Sequence, residues 1–571
     1  MHFSQKLLTP NNRSFNSCCN FGRVNLQLFQ TFPEEIRHLL EGQDECSKHF
    51  RTMIRNYNSG LAMASMTANL DIPRGGAPYC FRVHGQIYHS IGALRPLPGQ
   101  PTVFAQIYIF DTDQAANELA GRPINRECRR DIFALLFDVM RRDNVFAQSY
   151  RMMEEVVREE EELARRENRQ HIPVKMVFEQ RHSDDRRRYN LATSNEVAAV
   201  YKGTDDEIEG ERRLVVMERS GERSFITDHD PKCDPLSYPL LFPRGELGWH
   251  PGVEKQRVEG RKRSKLTQRE YYAFLLFPRR SFNPILHAGK LMQQFVVDSW
   301  VKIEQNRLKY IRQNQAQLRA DTYRGLQDFI MADLSDQGPP GRNIVSPATY
   351  TGSPRDMIAK YQDAMSIVAR YGKPDLFITM TCNPQWKEIE EALFPGQSAS
   401  DRPDIVARVF KLKLDALLDD LFKKHILGEV AAHVWVVEFQ KRGLPHTHIL
   451  IIMKDAWKPR TAADVDDLIG AELPDKETDP ELYEIISKQV IHRPCGVLDP
   501  TSPCMIEGKC SKNFPKQFAN ETAIDSDGYP RYRRREDGRF VMCRGVKLDN
   551  TSVVPYNPFL SRKYGCHINV E

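Results

Sequence analysis

The stretch Ala431–Met453, AAHVWVVEFQKRGLPHTHILIIM, constrains the fold of this chain more than any other. Two apolar runs, Val434–Phe439 and Ile449–Met453, flank a polar turn at Lys441–Pro445. Short β-branched runs separated by a Gly-and-Pro break predict two paired strands. Residues two apart on a strand share a face. His446 and His448 therefore point the same way, and Glu438 and Gln440 alternate onto one face of the partner strand. Two imidazoles with a carboxylate or amide on a rigid sheet make a site for a divalent ion, with positions left for substrate. The competing reading is two ordinary sheet histidines, because 16 His are spread over the 571 residues. The HEXXH pattern of a helical zinc protease does not occur.

A chain of 571 residues has room for roughly three or four domains. Its net charge of +5 is too small to demand a polyanionic partner, although basic residues cluster locally. No apolar run reaches the length of a membrane span, and Met1–Asn20 lacks the apolar stretch of a secretory signal. Twelve Cys in such a chain point to reduced thiols or metal ligands rather than to a disulfide framework.

Residues 1–70 carry little fold information. Residues 71–230 read as a mixed α/β region, with strands at Phe81–His89 and Val103–Phe110 and a helix over Asp131–Asn168. The run REEEELARRE within that helix predicts a solvated face laced by i,i+4 pairs. Residues 231–269 form a candidate boundary, rich in Pro and Gly and then basic: Lys255–Arg269 holds seven basic residues against one acidic. Arg261, Lys262, Arg263 and Lys265 suit a nucleic-acid backbone or nuclear import, with a solvated linker as the equal alternative.

Residues 270–455 begin with helices over Glu270–Arg319, whose expected core residues are Phe295, Val296, Trp300, Ile303 and Leu308. A helix from Pro354 to Tyr371 follows, with the apolar stripe Met357, Ile358, Tyr361, Met365, Ile367 and Val368 expected to be buried. Next come a buried strand, Leu376–Cys382, stopped by Asn383–Pro384, and a long amphipathic helix, Asp404–Ile426. The order strand, helix, strand, strand predicts an α+β fold: an antiparallel sheet with helices packed on it, preceded by mixed α/β and helical regions. No GxxxxGK[ST] motif is present, so the sequence holds no ATPase P-loop.

Residues 456–571 carry a second constellation, IHRPCGVLDPTSPCMIEGKC. His492, Cys495, Cys504 and Cys510 have spacings that close a tetrahedral zinc site, against the alternative of free thiols. Further on, YPRYRRREDGR interleaves aromatic groups with Arg533, Arg534 and Arg535, as single-strand binders do, and a solvated hairpin accounts for it equally well.

EFQKRGLPHTHILI resembles the histidine–hydrophobic–histidine region of the HUH endonucleases, and specifically the rolling-circle replication initiator domain of Helitron transposons, with Thr447 at the middle position. PDLFITMTCNPQW (Pro374–Trp386) is similar to that family's first motif. Tyr350–Thr379 and Asn283–Trp300 resemble its helicase-like N-terminal domain. The likeness is dense over 270–455 and looser on both sides. It extends to SFNSCCNFGRVNL (Ser14–Leu26), which matches half of a cysteine-rich segment; Cys18 and Cys19 are read as unpaired thiols.

The resemblance implies an HUH-type sheet, with Mg²⁺ or Mn²⁺ held by His446, His448 and either Glu438, the first choice, or Gln440. It also implies single-stranded DNA at transposon ends as substrate, a downstream helicase as partner, and a nuclear location. The family cuts with a tyrosine that attacks the scissile phosphate. Its tyrosine motif is expected beyond Glu571; Tyr556 and Tyr564 do not match that motif and are read as structural. The expectation is a transposase fragment that nicks and transfers DNA only in the full-length protein. A decayed or domesticated DNA-binding module and a hydrolase unrelated to DNA are the alternatives.

Overall fold

The computed structural model describes residues 19, 22–26, 32–70, 81–178, 198–202, 214–219, 223–256, 264–279, 281–315, 346–347, 349–440, 443–502, 504–524 and 529–571. The fold is α+β, built from helices and several small antiparallel sheets. It divides into two compact units, one of Met1–Asn314 with Phe394–Arg402, the other of Gln315–Leu393 with Pro403–Glu571. Among the described residues no helix is long and apolar enough to cross a membrane.

In the first unit, helices α1 (Glu34–Glu41) and α2 (Glu45–Leu61) lead into strands β1 (Ser65–Leu70) and β2 (Val83–Ile91), followed by α3 (Thr112–Gly121). The single helix expected over Asp131–Asn168 is two, α4 (Arg130–Asp143) and α5 (Val145–Arg166), because Asn144 stops one and starts the other. Its side-chain oxygen accepts the N–H groups of Phe146 and Ala147, and its amide donates to the Pro243 carbonyl. Asparagine competes well for such cap positions, which hydrophobic periodicity does not register. The strand expected at Val103–Phe110 is instead a 3-10 turn over Phe104–Ile109. Buried Gln106 accepts the Val103 N–H and donates to the Ala93 carbonyl, so a side chain closes the turn and overrides local β preference.

The acidic run on α5 is solvated only in part. Arg166–Glu162 is a surface i,i+4 pair, but Glu160 is buried and accepts from Arg169 and the Ile172 N–H. Arg95 reaches both Glu154 and Glu161. Strands β3 (Val174–Phe178), β4 (Ala198–Lys202) and β5 (Leu214–Met217) form a second sheet, and β6 (Ser224–Ile226) joins β2.

The Pro/Gly stretch read as a boundary supplies core: Cys233, Leu236, Tyr238, Leu240, Leu241 and Phe242 are all buried. They pack with α6 (Gln268–Leu275) and α7 (Gly289–Gln313), where the rings of Tyr238 and Tyr272 meet Phe295 edge-on at 5.2 and 5.9 Å. Of the core residues expected on α7, Phe295 and Ile303 are buried, Val296 and Trp300 pack partly against the core, and Leu308 is half-exposed.

Inside this core sits a buried polar cluster. Lys302 Nζ lies 2.7 Å from Asp234 and 3.1 Å from Asp298; His89 and Tyr238 also bond Asp298, and Tyr272 bonds Asp234. All six side chains are essentially inaccessible. Burial opposes charging of His89, but the Asp298 carboxylate outweighs it and raises the imidazole to about 10. Buried charges persist only when paired.

The second unit is organised by a four-stranded antiparallel sheet. Helix α8 (Pro354–Tyr371) precedes β7 (Leu376–Thr381), helix α9 (Pro403–Phe422) follows it, and then β8 (Val430–Phe439) and β9 (Pro445–Met453) form the expected hairpin. A last strand, β10 (Ile568–Val570), completes the spatial order β10–β7–β9–β8. Leu376, Ile378 and Met380 on β7 and Thr447, Ile449 and Ile451 on β9 form the buried face. The outer end of β8 is exposed, including Val436, Val437 and Phe439.

Helix α8 has the expected bounds, set by the Ser353 cap and by Gly372 at φ 94°. Its stripe is not buried: Met357 is 58% and Tyr361 66% exposed, and no residue of the helix is buried. Periodicity gave the helix but not the fate of its apolar side.

Helices α10 (Ala462–Leu468), α11 (Pro480–Gln489) and α12 (Pro558–Tyr564) belong to the C-terminal part, along with three short hairpins. Leu473, Leu482, Ile486, Val490, Val553 and Tyr556 make a small core there.

The polar cluster of the first unit makes a direct prediction. Replacing Lys302 by Met removes the cation between two buried carboxylates and should cost about 3–5 kcal/mol. Denaturant unfolding followed by fluorescence would measure it, and a loss below about 1 kcal/mol would contradict the assigned role.

Candidate metal centre

Strand β9 lies between β7 and β8 in a register that sets Thr381 and Glu438 beside His446, and Thr379 and Val436 beside His448. Paired residues share a face. Glu438, His446 and His448 each offer one ligand atom, and the three atoms lie within 4.8 Å of one another. His446 Nε2 is 3.1 Å from His448 Nε2 and 3.5 Å from Glu438 Oε2. Such separations suit three ligands around an ion with bonds of about 2.0–2.2 Å.

The supporting side chains fix His448. Its Nδ1 meets Thr379 Oγ1 at 2.9 Å, and its ring stacks on Phe377 with centroids 5.4 Å apart. A partner on the far ring nitrogen fixes the tautomer of a metal-ligating histidine. Thr447, between the two, faces the opposite way into the core, and its hydroxyl donates to the Val436 carbonyl at 2.7 Å. The threonine hydroxyl is accommodated on the buried face because β8 satisfies its one polar atom. Gln440 closes the hairpin through its backbone, with its N–H on the Leu444 carbonyl at 2.9 Å.

The donor set fits a divalent ion. His446 Nδ1 is buried with no hydrogen-bond partner among the described residues, so no acceptor there retains a proton on it. Burial, and then the neighbouring His448, hold His446 below its ordinary value, with Glu438 opposing. The imidazole is thus neutral, the form that binds metal, at pH 7. Glu438 stays mostly exposed, leaving the group open on its outer side.

His492, Cys495, Cys504 and Cys510 form a second group whose ligand atoms also lie within 4.8 Å of one another. His492 Nε2 is 3.5 Å from Cys495 Sγ and 3.6 Å from Cys510 Sγ. Two-residue strands, Met505–Ile506 and Lys509–Cys510, fold back across a turn with Glu507 at φ 48° and Gly508 at φ 78°, which sets Cys504 beside Cys510. Positive φ at both central residues marks the tight hairpin turn that fits strand twist. Burial alone would raise the Cys510 thiol, but backbone N–H groups at Phe514 and Lys512 hold it below its ordinary value. The His492 ring stacks on Phe514 at 4.2 Å.

The basic residues fare differently. Arg534 is 3% exposed and donates to the carbonyls of Ala471, Asn550 and Val553, which corrects its reading as a DNA contact. Its flanking neighbours are engaged too: Arg533 pairs with Asp466 at 2.9 Å and Arg535 with Glu472 at 2.6 Å. Lys265 forms a bridge with Glu254 at backbone level, and Arg261, Lys262 and Arg263 lie outside the described residues, as does Cys18. Tyr556 and Tyr564 are buried; Tyr556 donates to the Glu472 carbonyl and Tyr564 to Asp420.

Sequence reading missed Thr379. The signal was present, since the alternation of LFITMT opposite HTH puts a threonine hydroxyl on the face of the histidines. Changing Thr379 to Val should weaken Mn²⁺ binding about 10–100-fold, measured by paramagnetic resonance of the free ion. Because protons compete for His446, whose imidazole is held below its ordinary value of about 6.5, affinity should be full at neutral pH and fall only once the pH drops below that value. A pH-independent affinity would remove the histidines from the ligand set.

No curated protein gives a significant match to the chain. Residues 271–451 match the family model described as the Helitron helicase-like domain at the N-terminus. The matched segment opens in α6 and ends in β9, taking in Tyr272, Asp298 and Lys302 of the buried cluster and Glu438, His446 and His448 of the candidate centre. The chain therefore contains a Helitron helicase-like N-terminal domain.

Proposed function

We propose that this chain is part of a Helitron rolling-circle transposase and serves metal-dependent nicking and strand transfer of single-stranded DNA. The observation that carries the reading is the convergence of Glu438, His446 and His448 on one sheet face inside the Helitron-like segment. His446 and His448 present ring nitrogens 3.1 Å apart, Thr379 orients His448, and Glu438 supplies a carboxylate. A divalent ion held there, Mg²⁺ or Mn²⁺, would polarise the scissile phosphate and stabilise its developing charge. Gln440 remains a second choice for the third protein ligand. The four ligands of the other group leave no position open, which suits structural zinc rather than catalysis.

The nucleophile in this reading is a tyrosine other than Tyr556 and Tyr564. Burial raises both phenols, and both are tied to acceptors away from the metal centre. That burial also favours a second reading, a DNA-binding module without cleavage. Single-stranded transposon ends, a helicase region of the full-length protein and a nuclear site of action complete the proposal.

Incubating residues 1–571 with labelled single-stranded oligonucleotide and Mn²⁺ tests it. Binding should weaken steeply as salt rises, through loss of backbone contacts. No covalent adduct should form with this chain alone. A longer product of the same reading frame that carries a tyrosine segment should nick, and His446→Ala should abolish the nicking without abolishing DNA binding. An adduct formed by residues 1–571 and lost on Tyr556→Phe or Tyr564→Phe would overturn the assignment. Failure of the longer product to nick would leave the binding-module reading.

A further inference from the structure

The zinc group and the two-histidine centre are joined by a continuous run of backbone contacts within the second unit. Strand β10 has only three residues, the short end of the usual strand range, with Ile568 and Val570 buried. It pairs with β7 and sets Asn569 opposite Thr379, the residue that orients His448. Two contacts brace it from outside the sheet. The Val570 N–H donates to the Pro555 carbonyl at 3.1 Å, and the His567 ring meets the Gln489 carbonyl at 2.7 Å.

Both braces lead to the Cys/His group. Gln489 ends α11, and from there Val490 accepts the Val554 N–H at 2.9 Å, Ile491 bridges to Val553, and the His492 N–H donates to Ser552 at 2.8 Å. The other arm of the group returns to the same stretch, since the Lys516 N–H donates to the Thr551 carbonyl at 2.9 Å. Residues 551–554 are thus gripped by both arms and pass directly into Pro555. The small core around Val490 and Val553 supports the α11 side. Around the metal-ligand loop the apolar side chains face solvent instead: Val497 is 99% and Ile506 62% exposed. Apolar packing therefore gives that loop little hold, and its four ligands are the groups able to supply it.

We propose that the Cys₃His group is a latch: with zinc bound, it fixes β10 against β7 and so sets the divalent-metal affinity of His446 and His448. The inference rests on the zinc reading of that group and adds coupling between the two centres. No contact between the metals is needed; the coupling runs through the position of one short strand.

Hydrogen exchange and Mn²⁺ affinity, measured on the full chain, test this. Zinc is withdrawn from the wild-type chain by graded chelator, with Cys504→Ser and Cys504→His as companions. Zinc loss should speed exchange at 568–570 and weaken Mn²⁺ binding about tenfold, the size expected for a lost supporting partner. Amides of α9 should stay protected at that stage. Cys504→His, which keeps a ligand, should retain zinc and both properties. If the wild-type chain holds no zinc, or Cys504→Ser holds as much, the zinc reading fails and the latch with it. If zinc leaves but exchange at 568–570 and Mn²⁺ affinity do not change, the latch alone is overturned. If α9 loses protection together with β10, the group supports the whole unit rather than its edge, and the latch is again overturned.

Discussion

The candidate centre depends on one register, that of β9 between its two neighbours. Strand side chains alternate, so a slip of one residue would turn His446 and His448 into the core and expose Thr447, Ile449 and Ile451. The apolar face thus enforces the polar one. Burying Ile449 and Ile451 is worth roughly 1.5–3 kcal/mol each, which a slipped hairpin would forfeit while burying two imidazoles. The turn adds a second lock through the backbone bond from Gln440 to Leu444 and the positive φ of Gly443. Stability and chemistry share these strands, but on opposite faces.

The first unit solves a different problem. Lys302, Asp234, Asp298 and His89 are ionisable groups packed among the aromatic and aliphatic side chains of the core. Two carboxylates face two cationic groups, and two tyrosine hydroxyls add a hydrogen bond to each carboxylate. A paired set of this kind holds β2, α6, α7 and the stretch around Asp234 in one geometry. Apolar packing of the same volume would tolerate sliding. Directional bonds do not.

Local pattern made much of this legible. The hairpin around the histidines and the bounds of α8 and β7 follow from period, proline and glycine placement. The cluster of His492 and the three cysteines was visible as spacing. What stayed hidden is what tertiary context decides. Arg534 looks like its neighbours in sequence, yet three carbonyls draw it inside and burial lowers it to about 10. Gln106 bends a segment that its β-rich composition would extend. Asn144 divides a helix whose apolar pattern runs on without interruption. In each case one polar side chain found a distant or competing backbone partner, and a periodic pattern carries no record of such partners.

The exposed side of α8 bears on how this helix holds its shape. Helices in proteins draw most of their stability from an apolar face pressed into a core. Here Met357, Tyr361 and Met365 are exposed, while Ala364, Ile367 and Val368 are half-buried and the helix touches β8, so terms along its own axis add to that contact. Pro354 at its first turn, the Ser353 cap, the Asp356–Lys360 pair and the glycine that ends it are those resources. Each is a local, short-range term. Local terms from Ser353 to Gly372 thus carry a larger share of its order than in the helices buried in a core. On warming, it should fray ahead of the sheet to which its last turn leads.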